Sequence, residues 1–368
     1  MKAGIFAAAL ALVMVTAGCG GGTNSTPGST GGGDSSVYVL GPTTNSVLGF
    51  SQNSSGALIP FKTSPTTNTG SIPIAMVLHP SLKLAFIANN ADGTVTVRVR
   101  DTSTGVLSAP PLPPGVLNPP PPIIAGINPI AMVMTPNGNF VYVLNQGTNT
   151  IGEFSVDLTN NTLNSVGTLT LPALPAGQFM AVSSDSGFLY ISSPTTGKIA
   201  VSAIATNGAL GTAAIFTVGA TPSVMLVDPQ VRFLYVTDPP TNAVRVFSLS
   251  GGAISTQVSG SPFATGVNPS ALAINSSGNY LLVTNKGSNS VSGFAVSNGS
   301  LSGVPGSPFN TGVGPSYVVF DKANSFVYVA DQSSNDIAAY QLSGTQLKSL
   351  VGAPFSVGTS PTWMVTSP

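Results

Sequence analysis

Seven copies of one short pattern constrain the fold of this 368-residue chain more than any other feature. Each copy has an apolar run rich in β-branched and aromatic residues, a polar turn of five residues, and a second run that alternates. The copies are VYVLGPTTNSVLGF (37–50), AFIANNADGTVTVR (85–98), FVYVLNQGTNTIGEF (140–154), FLYISSPTTGKIAVS (188–202), FLYVTDPPTNAVRVF (233–247), YLLVTNKGSNSVSGF (280–294) and FVYVADQSSNDIAAY (326–340). Successive turns lie 45–48 residues apart, with one spacing of 56.

Four strand signals in about 46 residues are typical of one propeller blade. The chain begins its repeats with a second-strand signal at 37–40 and ends them with a first-strand signal at 361–368. These two ends complete one blade when they pair, which leaves no open sheet edge. The sequence therefore predicts an all-β fold over 37–368, a closed seven-bladed β-propeller of four-stranded antiparallel blades.

The single long spacing has a visible cause in the second repeat. Residues 109–122 read APPLPPGVLNPPPP, and proline cannot donate a hydrogen bond to a central strand ladder. We interpret this segment as a polyproline-like insertion.

Two segments carry a resemblance to a known family. SPFATGVNPS (261–270) and SPFNTGVGPS (307–316), together with the repeated Y-V-x-N, resemble the YVTN/lactonase-type seven-bladed β-propellers. That family includes enzymes that resemble 6-phosphogluconolactonase and carboxymuconate cycloisomerase, and also many secreted propellers. The motifs belong to the blade scaffold, so the resemblance implies the fold more than a chemistry.

The N-terminus is typical of an exported protein. Lys2 precedes an apolar run at 3–17 that is shorter than the about 20 residues of a membrane-spanning helix. Thr16-Ala17-Gly18-Cys19 resembles the lipobox of bacterial lipoproteins, which implies a signal peptide at 1–18 and lipidation of Cys19, the only cysteine. Residues 19–36 then form a flexible Gly/Ser/Thr tether. We expect a lipid-anchored cell-envelope protein, facing the periplasm or the surface. A plain secretory signal and a retained anchor are the alternatives.

The polar turns are interpreted as structural. Their last position is always asparagine or glycine, the residues that best tolerate a positive φ: Asn45, Gly93, Asn149, Gly197, Asn242, Asn289 and Asn335. The residue four positions earlier, which is Asn285 in blade 6, is predicted to cap the turn through a side-chain oxygen in all blades but the first. In NKGSN (285–289) only Lys286 lacks a repeated counterpart.

Charge and histidine content exclude several functions. Charged residues make up 6% of the chain, with 11 of each sign, so no basic surface for nucleic acid is expected. His79, the only histidine, aligns with other polar residues that end first strands and is read as a turn residue. Without a second histidine or cysteine, we expect no metal site and no cofactor.

The candidate ligand site is the mouth of the central channel on the side of the polar turns. Residues flanking the first-strand prolines and charged loop residues from three successive blades should line it. The candidates are Asn128, Gln178, Ser223, Asn268, Ser270, Ser316, Asp238, Lys286 and Asp331.

The uncharged ring of Asn, Ser, Thr and Gln side chains that flank the prolines at the mouth favours a non-catalytic, monomeric binding scaffold for a neutral glycan, a peptide or another envelope protein. The alternative is a lactonase-like hydrolase of a sugar lactone, which the resemblance implies. Its expected acid, base and cations are missing near the mouth, because Arg98, Arg100, Arg245 and Glu153 fall on third strands. A third hypothesis is an adhesive module that docks a partner through the proline-rich insertion.

Overall fold

A computed structural model describes residues 35–62, 66–112 and 121–367. The expected signal peptide, Cys19, nearly all of the tether and residues 113–120 of the proline-rich insertion lie outside these ranges. Within them, no helix has the length and apolar character to cross a membrane.

Seven antiparallel sheets are arranged in chain order, and we number them blades 1 to 7. Blade 1 contains β1 (Ser36–Gly41), β2 (Ser46–Gln52), β3 (Leu58–Pro60), β4 (Thr66–Asn68) and the C-terminal β33 (Trp363–Thr366). Blade 2 contains β5 (Pro73–Leu78), β6 (Leu84–Asn89), β7 (Thr94–Arg100), β8 (Leu107–Ser108) and β9 (Ile123–Ile124). Blade 3 contains β10 (Pro129–Met134), β11 (Phe140–Asn145), β12 (Thr150–Asp157) and β13 (Thr162–Thr170).

The other four blades repeat this arrangement. Blade 4 contains β14 (Phe179–Val182), β15 (Phe188–Ser193), β16 (Lys198–Ala203) and β17 (Ala214–Thr217). Blade 5 contains β18 (Met225–Val227), β19 (Phe233–Asp238), a 3-10 turn (Pro239–Thr241), β20 (Ala243–Ser250), β21 (Ala253–Gln257) and β22 (Phe263–Ala264). Blade 6 contains β23 (Pro269–Ile274), β24 (Tyr280–Asn285), β25 (Ser290–Ser297), β26 (Ser300–Gly303) and β27 (Phe309–Asn310). Blade 7 contains β28 (Pro315–Phe320), β29 (Phe326–Asp331), β30 (Asp336–Ser343), β31 (Gln346–Ser349) and β32 (Phe355–Ser356).

The ring closes as predicted, by pairing of the two ends of the chain in blade 1. Strand β33 is antiparallel to β1, with Val37 opposite Thr366 and Leu40 opposite Trp363. Ser36 and Ser367 extend this ladder through two hydrogen bonds of 2.8 Å. The prediction of a closed seven-bladed propeller of four-stranded antiparallel blades is confirmed.

The core lies between the blades. Second strands such as β6 and β29 are buried along their whole length, because a neighbouring blade covers each of their faces. The aromatic residues that share one position on the third strands are also buried. They are Phe50, Phe154, Phe247, Phe294 and Tyr340.

The last residue of each polar turn adopts the left-handed conformation in all seven blades, with φ between 49° and 66°. The prediction that the side chain four residues earlier caps the turn is wrong for Asn285 and Asn89. The side chain there holds the segment that leads into its own blade: Asn285 Oδ1 accepts from Gly266 N at 3.1 Å and Asn89 Oδ1 from Gly70 N at 3.1 Å. The turn instead closes through its backbone, where Ser288 N donates to Asn285 O at 3.2 Å.

The interpretation of His79 as a turn residue agrees with its contacts. Its Nδ1 accepts a hydrogen bond from Ser81 N at 3.0 Å, and burial lowers its pKa. In the other six blades the aligned side chain accepts a hydrogen bond from the first backbone N–H of the second strand. These side chains belong to Thr135, Ser183, Asp228, Asn275, Asp321 and Ser367.

Candidate functional site

The mouth on the side of the polar turns is shaped by bulges in the first strands. The ladder between first and second strands shifts register at the residue after the proline in blades 2, 3, 6 and 7. A bulge redirects the side chain at that position, and bulges are frequent next to active sites. The bulged residues are Ile74, Ile130, Ser270 and Ser316.

The predicted mouth residues differ in their exposure. Asn128 and Asn268 are exposed and adopt left-handed φ values of 52° and 57°. Gln178 and Ser223 are half-buried. These four side chains are available to a ligand at the rim.

Two serines of the mouth connect neighbouring blades. Ser270 Oγ donates to Pro315 O at 2.8 Å, and Ser316 Oγ donates to Pro361 O at 3.0 Å. Each hydroxyl therefore donates its proton to the carbonyl oxygen of the proline at the start of, or just before, the first strand of the next blade. The two bonds link neighbouring blades at the mouth; Ser316 is buried and only Ser270, which is half-buried, is open to a ligand.

The two candidate carboxylates are buried within their own blades. Asp238 Oδ2 forms an ion pair with Arg245 Nε at 2.9 Å. Asp331 accepts hydrogen bonds from Thr311 Oγ1 at 2.8 Å and from Gly312 N at 2.9 Å. Burial raises the pKa of Asp331 to about 7, although these hydrogen bonds oppose the shift. Both groups hold connections between strands and face away from solvent.

Lys286 is the accessible member of the charged trio. Its side chain is half-buried, and Nζ donates to Gln332 Oε1 of blade 7 at 2.7 Å. Burial lowers its pKa, and no described carboxylate pairs with it. Backbone bonds fix both loops, from Lys286 N to Asn268 O at 2.9 Å and from Gln332 N to Gly314 O at 3.1 Å. The result is a positioned ammonium group at the boundary of blades 6 and 7.

Three arginines and the glutamate fall on third strands, as predicted, although Arg245 reaches the candidate residue Asp238. Arg98 and Arg100 belong to β7, Arg245 to β20 and Glu153 to β12, all third strands. Arg100 is buried beside Tyr38 Oη at 2.7 Å. The described part of the chain brings together no group of three histidine, cysteine, aspartate or glutamate side chains that fits a metal ion.

A cavity of about 80 Å³ lies at the opposite end of the channel, where sequence reasoning predicted none. Tyr317 and Trp363 line it with ring centroids 4.7 Å apart, and Trp363 Nε1 donates to Met76 O at 2.8 Å. The signal in the sequence is the two aromatic rings at a position that is alanine in three other blades, but only the packed side chains show the space they leave. The volume of the cavity is about half that of an enclosed cavity that holds benzene, about 150 Å³, but it is partly open to solvent.

Comparison with known proteins agrees with this architecture. A family model described as lactonase, seven-bladed β-propeller, matches residues 44–175 and 250–365. No curated protein sequence matches the chain.

Solved structures share the fold at low sequence identity. A candidate 6-phosphogluconolactonase from Bacteroides uniformis is 17% identical, with 90% of this chain and 99% of that chain covered and a TM-score of 0.73. The periplasmic gluconolactonase of Pseudomonas aeruginosa is 19% identical, with 91% and 99% covered and a TM-score of 0.71. The family match covers more than half of the sequence, so the chain belongs to the lactonase family of seven-bladed β-propellers.

Proposed function

We propose that the protein is a lactonase-type hydrolase of neutral lactones and that the reaction takes place at the mouth beside Lys286. Membership of the lactonase family supports the class of reaction. The observation that carries the proposal is the ammonium group of Lys286, held by Gln332 across a blade boundary with no described carboxylate to neutralise it. The same lysine is the one residue of its turn that the repeat does not explain.

The chemistry needs a donor at the carbonyl oxygen of the lactone. Lys286 Nζ has donors beyond the one bonded to Gln332, and a cation there stabilises the negative charge that develops when water attacks the carbonyl carbon. The ring C–O bond then breaks, and the departing ring oxygen takes a proton from Lys286. The amine recovers a proton from the attacking water, and the product is the open hydroxy acid.

The proposed preference for a substrate without a phosphate follows from the positions of the charged side chains of the protein. Recognition of a phosphate favours an arginine or several cations, and the described arginines lie on third strands or on the opposite face. Asn128, Asn268 and Gln178 offer hydrogen bonds without charge. A sugar lactone without a phosphate suits this mouth better than a phosphorylated one.

We also propose, from the sequence, that the protein is exported and anchored through Cys19. Strand β1 begins at Ser36, next to Ser367 and thus at the end of blade 1 opposite the polar turns. A tether that precedes Ser36 leaves from that face. An anchored ring would then present its mouth away from the membrane.

The test is the hydrolysis rate of D-glucono-1,5-lactone and of its 6-phosphate, measured above the spontaneous rate. We expect turnover of the neutral lactone and a higher KM for the phosphate. Lys286→Met should lower kcat at least about tenfold, equal to about 1.4 kcal/mol, and Lys286→Arg should retain part of the rate.

Lys322→Met is the matched control, because Lys322 is exposed beside the cavity on the opposite face. Its kcat should equal that of the unchanged protein. Equal losses in both methionine variants, or no turnover above buffer, would rule the proposal out. Saturable binding of the lactone without turnover would instead favour the non-catalytic binding scaffold.

A further inference from the structure

Large aliphatic side chains are exposed around the candidate mouth. Val267 and Val313 are each 52% exposed, Ile127 is 60% exposed and Ile72 is 46% exposed. All four lie in the segments that lead into first strands, directly before the proline or one residue further upstream. They are four of the nine large hydrophobic residues exposed in the described part of the chain. The rim of the polar mouth thus carries a repeated set of exposed aliphatic side chains, one in each of four blades.

Two of these residues flank Lys286. Val267 O accepts a hydrogen bond from Gly287 N at 2.9 Å, so Val267 is fixed beside the loop that carries Lys286. Val313 O accepts from Ser333 N at 2.9 Å, which fixes it beside the loop that carries Gln332. Equivalent valines of successive blades therefore stand on the two sides of the Lys286–Gln332 hydrogen bond.

The fold itself does not need an apolar side chain at this position. The structural task belongs to the backbone carbonyl, which any residue supplies. Blades 1 and 2 have Thr359 and Ser71 at the same position, and Ala91 N donates to Ser71 O at 3.2 Å in the same way. The valine methyl groups are left half in solvent, where they add little to the core. These methyl groups are therefore available to contact an apolar part of a ligand.

We propose that the site prefers lactones that carry a short aliphatic chain, with Val267 and Val313 in contact with that chain while Lys286 holds the lactone carbonyl. This inference deepens the proposed function and rests on it. A carbonyl at Lys286 Nζ leaves its substituent free to lie toward either valine. Because the rim is half open, each added methylene should be only partly buried, which corresponds to roughly a twofold gain in affinity.

The experiment uses γ-lactones with linear alkyl chains of one to six carbons. In the unchanged protein, KM should fall about twofold per methylene and level off once the chain extends past the valines. The variant Val267→Thr with Val313→Thr keeps the backbone bonds and the β-branched shape but replaces one methyl of each valine with a hydroxyl. The dependence on chain length should flatten in this variant.

Ile59→Thr is the matched control, because Ile59 is an exposed aliphatic residue on β3, an outer strand of blade 1. Its chain-length dependence should equal that of the unchanged protein. A flat dependence in the unchanged protein, or an equal slope in the valine variant, overturns the inference.

Calorimetric binding of alkyl lactams of the same chain lengths separates this inference from the proposed function. A slope in lactam affinity without turnover of any lactone would sink the hydrolase proposal alone. Turnover of lactones without a slope in either assay would sink the preference for aliphatic chains alone.

Discussion

Asp331 places a carboxyl group at a repeated position where three other blades have a neutral amide. Blades 2, 3 and 6 have Asn89, Asn145 and Asn285 there, whereas blade 7 has a carboxylic acid that is fully buried. Asp336 lies close enough to raise its pKa further, and no described lysine or arginine pairs with it. Burial therefore favours the protonated form.

The sign of the resulting pH dependence is fixed. The pKa of Asp331 is about 7 in the folded protein, against 3.8 as its usual value. Between these two values the folded state keeps a proton that the unfolded state has lost. Stability from this residue is therefore greatest below about pH 4, falls as the pH rises to about 7, and stays low above it.

Asp331→Asn should remove this loss of stability. We expect a gain on the order of 2 kcal/mol in the free energy of unfolding at pH 8 and little change at pH 4. Urea unfolding at both pH values measures it. Asp238→Asn is the contrasting variant, because it breaks the pair with Arg245 and should destabilise at pH 8. A loss at pH 8 in both variants would contradict the account of Asp331.

For single residues, the sequence predicts the backbone conformation better than it predicts the hydrogen-bond partner. The left-handed φ of Asn289 follows from asparagine and glycine sharing one property at seven aligned positions. That Asn285 bonds to Gly266, 19 residues upstream, does not follow from any local pattern. The partner is set by how the incoming segment crosses the turn, which depends on tertiary packing.

At the scale of the element, asparagine and glycine are not interchangeable in the polar turns. Asn289 Oδ1 accepts from Gly314 N of the next blade at 2.9 Å. In blade 2, a Cβ on Gly93 would lie 2.4 Å from Gly126 O, which is too close for any side chain. The incoming segment approaches the turn more closely there, so glycine is required for space as well as for φ.

Because of this difference, replacing asparagine with glycine and replacing glycine with asparagine should have unequal effects on stability. Asn289→Gly loses one hydrogen bond and should reduce stability by about 1 kcal/mol. Gly93→Asn must displace backbone and should reduce it by more, roughly 2–3 kcal/mol. Thermal unfolding of the two variants measures both losses of stability. If Gly93→Asn is as stable as the unchanged protein, the close approach to Gly126 is not a constraint.

At the scale of the whole molecule, closure was predictable because both ends of the chain had an unpaired strand signal. The positions of β1 and β33 follow from the repeat count. The filling of the channel was not predictable in the same way. Tyr317 and Trp363 stand where other blades have Ala75, Ala131 and Ala271, and they pack against each other beside a small cavity.

Trp363 lies in β33, the strand that closes the ring. Its substitution therefore measures how much closure contributes to the free energy of unfolding. Trp363 is 1% exposed, and its Nε1 bonds to Met76 O of blade 2. Trp363→Ala should lower the free energy of unfolding by about 3–5 kcal/mol, because it leaves a large void and an unpaired carbonyl. Trp363→Phe keeps most of the volume and should lose less than half as much. Denaturant unfolding measures both, and a loss below about 1 kcal/mol for Trp363→Ala would show that closure does not depend on this contact.

We propose that ligand chemistry takes place at the mouth beside Lys286 and not at the opposite end of the channel. The most direct measurement is a crystal structure of the protein soaked with a gluconolactam, which cannot be hydrolysed as the lactone is. We predict density for the lactam ring with its carbonyl oxygen within hydrogen-bond distance of Lys286 Nζ. Density in the cavity beside Trp363 and Lys322, or a mouth that stays empty at saturating lactam, would contradict the account.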